Sequence, residues 1–187
     1  MTETLSGDQA RDIAKEWLEC EPDLKNREEI EALLAGPESE LIQRFTGHLE
    51  FGTAGLRGPL GAGPQRMNRP LVQMTAAAIA QRLLEDDQKE SPLVVVGFDA
   101  RKQSDVFASD TARVLANQNI RCVLLPKALP TPVLAFSVLQ INASAGIMVT
   151  ASHNPRQDNG YKVYWKDGAQ INTPLDKEIS TYLEGIK

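Results

Sequence analysis

The segment Thr150–Pro155, with the sequence TASHNP, contains a serine in a position suited to chemistry. It follows the apolar run Ala145–Val149, which predicts a buried strand. Pro155 cannot donate a ladder hydrogen bond and disfavours helix at Asn154, so the strand must end here. Ser152 is therefore predicted on a tight loop at the carboxyl edge of a sheet, where α/β proteins bind ligands. Its hydroxyl could be a nucleophile or a phosphate carrier, and the alternative is a structural serine that caps a helix.

Two other segments accompany this serine loop. Upstream, residues 51–58 read FGTAGLRG and carry Arg57 among glycines. Downstream, residues 158–165 read DNGYKVYW, a turn signal followed by a strand-like run that contains Lys162. In order and spacing the three segments resemble the α-D-phosphohexomutases, the phosphoglucomutase and phosphomannomutase family. The resemblance covers roughly residues 48–187 and the family's first domain. It is strongest to the branch that includes phosphopentomutases and many bacterial phosphoglucomutases.

The resemblance implies catalytic roles for four residues. Ser152 matches the serine that is phosphorylated in the active enzymes, and Lys162 matches the lysine used beside it as a general base. An ordinary lysine, with a pKa of ~10.4, needs burial or cationic neighbours to act as a base, whereas a fixed cation needs neither. Arg57 is placed near the phosphoserine, and its planar guanidinium suits phosphate. His153 is interpreted as a phosphate contact, because neighbouring side chains on extended backbone point to opposite sides; a structural histidine is the alternative.

Three further residues are predicted to support the serine loop. Asn154 could orient the loop through hydrogen bonds of its side chain. Asp99 and Arg101 follow the predicted strand Leu93–Phe98 and precede a helix. That location suits a supporting role next to the loop, although an ordinary salt bridge between them explains the pair equally well.

Size and charge restrict the class of protein. The 187 residues are 42% hydrophobic and 24% charged, which is ordinary for a soluble globular protein with one well-buried domain. Because 25 acidic residues outweigh 20 basic ones and no basic run occurs, a nucleic-acid partner is disfavoured. The sequence shows no signal peptide and no apolar stretch of about 18 residues, so we expect a cytoplasmic protein without membrane insertion.

Apolar periodicity predicts a helical arm over residues 1–48 and an α/β domain over residues 49–187. In the arm, Ser6 begins a capping box and Asn26 is expected to cap the second helix. A short strand at Leu49–Phe51 is expected to enter a glycine-rich loop. The remaining predicted strands, which alternate with helices, are Leu93–Phe98, Arg121–Leu125, Ala145–Val149 and Tyr161–Trp165. The alternation predicts a three-layer α/β/α sandwich. The resemblance implies a mixed four-stranded core sheet with one antiparallel strand.

The resemblance also implies parts that these residues lack. The family has four domains, and its Mg²⁺ is held by three aspartates of an Asp-Gly-Asp-x-Asp-Arg loop in the second. No Asp-x-Asp occurs in this sequence. We therefore expect an isolated first domain, inactive alone, in which Mg²⁺ would contact only the phosphate on Ser152 while its other ligands lie outside this chain. The expected partners are sugar phosphates, glucose 1,6-bisphosphate as activator, and the remaining domains.

Three functional hypotheses follow from the sequence. The first is the phosphoserine domain of a mutase that interconverts sugar 1-phosphate and 6-phosphate, with glucose favoured, mannose possible, and a pentose phosphate as the alternative substrate. The second is a serine hydrolase, for which His48 in the arm is a poor second histidine. The third is a non-catalytic sugar-phosphate-binding domain. The retained set of Ser152, Arg57 and Lys162 argues against lost chemistry.

Overall fold

The computed structural model describes residues 5–53, 55–86 and 91–186, and within them it contains seven helices and five strands. The helices are α1 (Gly7–Cys20), α2 (Leu24–Ala35), α3 (Glu38–Phe45), α4 (Arg69–Glu85), α5 (Ser104–Asn117), α6 (Thr131–Gln140) and α7 (Leu175–Gly185). The strands are β1 (Leu56–Pro59), β2 (Leu93–Phe98), β3 (Arg121–Leu124), β4 (Ala145–Val149) and β5 (Asp158–Trp165). None of the described helices is both long enough and apolar enough to cross a membrane.

The five strands form one mixed sheet in the order β1-β5-β4-β2-β3. Strand β2 is parallel to both β3 and β4, whereas β5 is antiparallel to both β4 and β1. The expected single antiparallel strand is therefore confirmed, and it is β5. Because of these directions, the carboxyl ends of β1, β2 and β4 meet the amino end of β5 at one edge of the sheet. The loop with Ser152 leaves β4 at that edge.

The strand count and the first strand differ from expectation. The sheet has five strands rather than four, and residues 49–51, expected as a strand, lie outside it. The first strand instead runs from Leu56 to Pro59, inside the segment expected to be a glycine-rich loop, and it pairs with the start of β5. Glycine makes this pairing possible at two positions. Gly55 has a φ of +73° and a side chain there would overlap the Tyr161 carbonyl oxygen, while a Cβ at Gly160 would lie 2.7 Å from the Leu56 carbonyl oxygen.

Helices cover both faces of the sheet, which confirms the three-layer architecture. On one face, α4, α5 and α7 pack over the alternate apolar residues of the central strands, such as Val94, Ile147 and Tyr161. On the opposite face, α6 packs Leu134 and Val138 against residues of β2, β4 and β5. The Tyr161 hydroxyl, buried in the first layer, lies 2.8 Å from the Thr111 hydroxyl, so its polar group is satisfied there.

The arm is helical, as expected, and consists of α1 to α3, which share a small apolar core. The Ser6 capping box is present, with the Ser6 hydroxyl accepting from the Gln9 backbone. The cap predicted for α2 is wrong, because Asp23 caps the helix and Asn26 is a buried residue within it. The aspartate lies one turn earlier, directly after Pro22, and its carboxylate accepts from Lys25 N at 2.9 Å.

Two carboxylates of the arm reach the α/β domain. Glu29 accepts a hydrogen bond from Ala62 N at 3.1 Å, in the turn that follows β1. Asp23 accepts one from the Gln103 amide at 3.0 Å, in the segment that follows β2. The arm is therefore fastened to segments after two strands that end at the same edge of the sheet as the serine loop.

Glu21, at the end of α1, is a buried carboxyl group that is incompletely satisfied. Only 2% of the residue is exposed; Oε1 accepts from Asp23 N at 3.0 Å, and Oε2 has no hydrogen-bond partner among the described residues. Burial raises the pKa of this carboxyl group, because it disfavours the charged form.

Glu21→Gln is expected to increase the free energy of unfolding at pH 7. Since the folded-state pKa of Glu21 is raised, its ionised form costs stability at neutral pH, and that cost fades as the pH falls towards the unfolded-state pKa of about 4.3. Glutamine keeps the oxygen that accepts from Asp23 and carries no charge. Urea denaturation at pH 7 and pH 4 measures the difference.

The matched control for this prediction is Glu19→Gln, which removes a carboxylate from an exposed position of the same helix. We expect little change from it at either pH. An equal gain from both substitutions, or a gain from Glu21→Gln that grows at low pH, would contradict the burial argument.

Candidate active site

The side chain of Ser152 lies on the loop between β4 and β5 and has no hydrogen-bond partner among the described residues. The residue is exposed, and its φ of 55° lies in the left-handed region, which is uncommon for a residue with a side chain. The Ser152 backbone nitrogen donates to the Thr150 hydroxyl oxygen at 3.0 Å. The loop therefore has a fixed backbone and a free serine hydroxyl.

The guanidinium of Arg101 holds this loop by its carbonyl oxygens. Nη1 donates to Pro155 O at 2.8 Å and to Asp158 O at 3.0 Å, and Nη2 donates to Ser152 O at 2.8 Å and to Asn154 O at 2.9 Å. The remaining N–H group, on Nε, lies 3.4 Å from Asp99 Oδ2. A guanidinium has five N–H groups, so this side chain is saturated by the loop and by Asp99.

Asp99 joins the loop to the start of α5. Its Oδ2 accepts from the Thr150 hydroxyl at 2.6 Å, and its Oδ1 accepts from the Ser104 hydroxyl at 2.8 Å and from Arg101 N at 2.9 Å. The same Thr150 hydroxyl accepts from the backbone nitrogen of Ser152. A continuous chain of hydrogen bonds thus runs from the Asp99 carboxylate to the serine backbone. Asp99 and Arg101 form a salt bridge, but most of their contacts serve the loop.

Two asparagines complete the loop's connections. The Asn154 amide donates to Asp158 Oδ2 at 3.0 Å, across the loop. Asn159 is fully buried, and its amide donates to Lys102 O and to the Ser104 hydroxyl, both at 3.0 Å. The sequence predicted a turn at 158–160, but these residues are the first of β5, because they pair with β1. The asparagine and glycine of this segment have other roles. The Asn159 side chain anchors the strand, and Gly160 allows the Leu56 backbone to approach closely.

Arg57 and Lys162 lie on one face of the sheet, next to the serine loop. Arg57 pairs with Gly160, and side chains alternate along β5, so Lys162 shares the face of Gly160 and Arg57. Thr150 N donates to Gly160 O at 3.0 Å, so the loop begins beside the residue that pairs with Arg57. This is the face that α6 covers farther along β5, at Tyr164.

These two cations lack partners within the described chain. Arg57 is half-buried, and its Nε atom is buried with no hydrogen-bond partner. Lys162 is also half-buried and forms no hydrogen bond or ion pair with described residues. Burial lowers the pKa of Lys162, and the positive charge of Arg57 lowers it further. Two desolvated cations without a counter-ion form a place for an anion.

The predicted residue His153 is exposed beside Ser152. Its imidazole forms no hydrogen bond with the described residues, so it neither activates the Ser152 hydroxyl nor anchors the loop in this structure. No histidine or carboxylate among the described residues is hydrogen-bonded to Ser152 Oγ, whereas a hydrolytic triad requires such a base.

Three residues of the site were missed at the level of sequence. Thr150, Ser104 and Asn159 each link two segments around the loop. Thr150 had a local signal, because a threonine two residues before an exposed serine can accept from the serine backbone. The partners of Ser104 and Asn159 are distant in sequence, and no local pattern reveals them.

The described residues do not provide a ligand set for the implied Mg²⁺. They contain no group of three or more histidine, cysteine, aspartate or glutamate side chains that could hold a metal ion. The two carboxylates beside the loop are already engaged, Asp99 by the hydrogen bonds of Thr150, Ser104 and Arg101 and Asp158 by that of the Asn154 amide. The residues present do not form a magnesium site by themselves.

Comparisons with known proteins agree on one family. Residues 48–187 match the family model for the phosphoglucomutase/phosphomannomutase α/β/α domain I. A "Probable phosphomannomutase" of Haemophilus influenzae is 47% identical over 123 residues, covering 64% of this chain and 25% of that protein. A phosphopentomutase of Mus musculus is 40% identical over 178 residues, which cover 90% of this chain and 28% of that protein.

A solved structure gives the same result. The open form of the Paramecium phosphoglucomutase pp63/parafusin, an exocytosis-sensitive phosphoprotein, superposes with a TM-score of 0.61 at 25% identity, covering 74% of this chain and 26% of that one. The chain thus spans less than a third of the length of these relatives. By the family match over residues 48–187, which carry the serine loop and both unpaired cations, the chain belongs to the phosphoglucomutase/phosphomannomutase family.

Proposed function

We propose that this chain is the phosphoserine-bearing domain of a sugar-phosphate mutase, with Ser152 as the phosphoryl carrier. The carrying observation is a free serine hydroxyl on a loop held by Arg101, next to two half-buried cations without counter-ions. A phosphoserine brings about −1.5 to −2 charges and three acceptor oxygens. Arg57 and Lys162 supply the charge that such a group needs, and family membership supports this use of the loop.

The proposed reaction consists of two successive phosphoryl transfers. In the first, the phosphoserine gives its phosphoryl group to a free hydroxyl of the sugar monophosphate: the Oγ–P bond breaks, a sugar O–P bond forms, the sugar hydroxyl proton passes to a base, and the released Oγ takes up a proton. In the second, the other sugar O–P bond of the bisphosphorylated sugar breaks and a new bond forms between that phosphorus and Ser152 Oγ; the Ser152 hydroxyl proton passes to the base, and the released sugar oxygen takes up a proton. Catalysis of such transfers depends on positioning and on stabilising charge at the transferring group.

Arg57 and Lys162 have different parts in this proposal. The unpartnered Nε of Arg57 and the rest of its fork donate to phosphoryl oxygens. Lys162, whose pKa is lowered by burial and by Arg57, has an increased fraction of neutral amine, the form that can accept the hydroxyl proton. His153, exposed beside Ser152, is proposed to contact a phosphate from the solvent side.

The sugar is proposed to be glucose, as the 1-phosphate and the 6-phosphate, with glucose 1,6-bisphosphate as activator. The relatives' names divide among mannose, pentose and glucose phosphates, so a mannose or pentose phosphate is the alternative. Since the chain spans less than a third of these relatives, we propose that other domains grip the sugar and that this chain alone does not turn over. A cytoplasmic location stays a prediction from composition.

Magnesium belongs to the proposal only through the phosphate on Ser152. The described residues do not form a magnesium site, so no step is derived through the ion. If Mg²⁺ binds, the phosphoserine oxygen would be its ligand from this chain.

The remaining two hypotheses predict different chemistry. A serine hydrolase needs a base hydrogen-bonded to Ser152, and the described residues offer none. A non-catalytic binding domain would use the two desolvated cations to bind a phosphate, but it has no use for a free serine hydroxyl beside them, so phosphorylation of Ser152 separates it from the mutase.

Ser152 is expected to become phosphorylated when the chain is incubated with glucose 1,6-bisphosphate. Intact mass spectrometry should show one added phosphoryl group, and peptide mapping should place it on Ser152. Ser152→Ala should stay unmodified, whereas Ser137→Ala, on α6, should react like the wild type. Phosphate on Ser144 or Thr150, or modification by a fluorophosphonate instead, would disprove the assignment.

Arg101→Lys is expected to loosen the serine loop while the protein stays folded. Lysine keeps the charge, but its ammonium cannot reach four carbonyl oxygens in the fork geometry of arginine. Hydrogen bonds to charged groups contribute about 1.5–3 kcal/mol each. Amide hydrogen exchange at Ser152, Asn154 and Asp158 should therefore become at least about tenfold faster. Arg113→Lys, on exposed α5 surface, is the matched control; unchanged loop exchange in Arg101→Lys would refute the clamp.

Arg57→Gln is expected to raise the pKa of Lys162, because the substitution removes the nearby positive charge, while burial, the larger cause of the lowering, remains. Side-chain NMR titration of Lys162 measures this pKa directly. The pKa of Lys177, on exposed α7 surface, should stay the same in both proteins. An unchanged Lys162 pKa would mean that the two cations do not face a common site.

A further inference from the structure

A cationic cavity lies at the edge of the sheet, and neither Arg57 nor Lys162 is among the residues that line it. Its volume is about 960 Å³, within the range of small-molecule sites. Its polar lining comes from the segment after β2 and from the serine loop, namely Arg101, Lys102, Asn154, Arg156 and Gln157. Both segments leave carboxyl ends of strands, the edge at which α/β sheets bind ligands.

The charge of this cavity is opposite to that of the protein. The chain has a net charge of −5, yet three of the lining residues are cationic and no carboxylate is among those found to line it. Arg101 adds charge but no free donor, because its N–H groups are engaged by the loop and by Asp99. The free donors come from other residues.

Lys102 and Arg156 supply those donors. Both side chains are exposed, and neither forms a hydrogen bond or an ion pair with the described residues. Their backbones are nevertheless fixed: Lys102 O accepts from the buried Asn159 amide at 3.0 Å, and Arg156 lies between Pro155 and Asp158, whose carbonyl oxygens Arg101 holds. Two cationic side chains on fixed backbone, facing one cavity, are arranged for a divalent anion.

We propose that this cavity binds the phosphate monoester group of a small polar molecule, at a site separate from the one at which Ser152 reacts. The ammonium of Lys102 and the guanidinium fork of Arg156 bind the phosphate, and the Gln157 amide is free to contact a hydroxyl group of the ligand. A nucleic acid fits less well, because the cations line a cavity rather than an extended stripe. A ligand here contacts Asn154 and therefore stabilises the serine loop.

The direct test is an NMR titration of the ¹⁵N-labelled chain with inorganic phosphate and, separately, with glucose 6-phosphate. Chloride keeps the ionic strength constant, since screening alone changes surface electrostatics. We expect saturable shifts of amides in residues 100–102 and 154–157 with at least one of the two probes. Saturation with neither probe, or shifts confined to the surroundings of Arg57 and Lys162, overturns the proposal.

Paired variants then test the two cations. Lys102→Gln combined with Arg156→Gln should weaken binding at least about tenfold, because charge-assisted hydrogen bonds are lost. The control is Lys177→Gln combined with Arg113→Gln, which removes the same charge from exposed helix positions and should leave affinity within about twofold. Equal weakening by both pairs means attraction by net charge alone and overturns the site.

The same titration in an Arg57→Gln, Lys162→Gln chain separates this proposal from the function proposed above. If the probe still shifts the amides of residues 154–157 in this variant, the site is independent of the phosphoserine chemistry. If those shifts are lost, the proposal of a separate site is overturned. Phosphorylation of Ser152 is measured by mass and does not enter this readout, so either proposal can fail while the other stands.

Discussion

The serine loop depends on one guanidinium group, that of Arg101. A loop that turns sharply at the edge of a sheet leaves several carbonyl oxygens without ladder partners, and a donor that reaches several of them fixes the loop. Arginine is the side chain that can supply five donors from one plane, and here four of them reach carbonyl oxygens of the loop. Asp99 orients the guanidinium through its Nε. This clamp allows Ser152 to keep an uncommon left-handed backbone with its hydroxyl free.

The sequence was most informative where neighbouring residues act on each other. The run before Ser152 predicted β4 to the residue, and the three-layer order followed from alternating patterns. The sequence did not predict β1, because a strand among glycines shows no hydrophobic periodicity and is defined only by its pairing with β5. The role of Asn159 was not predicted for the same reason. The residues around it have the composition of a turn, whereas the partners that accept hydrogen bonds from its amide are 55 and 57 residues away in sequence. Arg101 was placed near the loop, but its contacts with four carbonyl oxygens required the structure.

The helical arm is connected by hydrogen bonds to segments that carry residues of the site. Asp23 accepts from Gln103, whose φ of 65° is also in the left-handed region, two residues after the guanidinium that holds the loop. Glu29 fixes the turn after β1, the strand that carries Arg57. Both carboxylates therefore brace segments that leave the same sheet edge. Such bracing limits the motion of Arg57 and Arg101, which matters because electrostatic stabilisation depends on charges that are already in place.

The energetic state of the unphosphorylated chain follows from the unpaired cations. Arg57 and Lys162 share a face and repel each other, and burial, together with this repulsion, lowers the pKa of Lys162. The packing of β1 against β5 maintains this unfavourable pair, since Gly55 and Gly160 hold the strands in close register. An anion between the two cations would remove the repulsion and satisfy the buried Nε of Arg57. If Ser152 carries a phosphate as proposed, that phosphate supplies the negative charge that the side chains around Arg57 and Lys162 do not. Loss of the phosphoryl group then restores the repulsion between the two cations, and this repulsion favours rephosphorylation of Ser152.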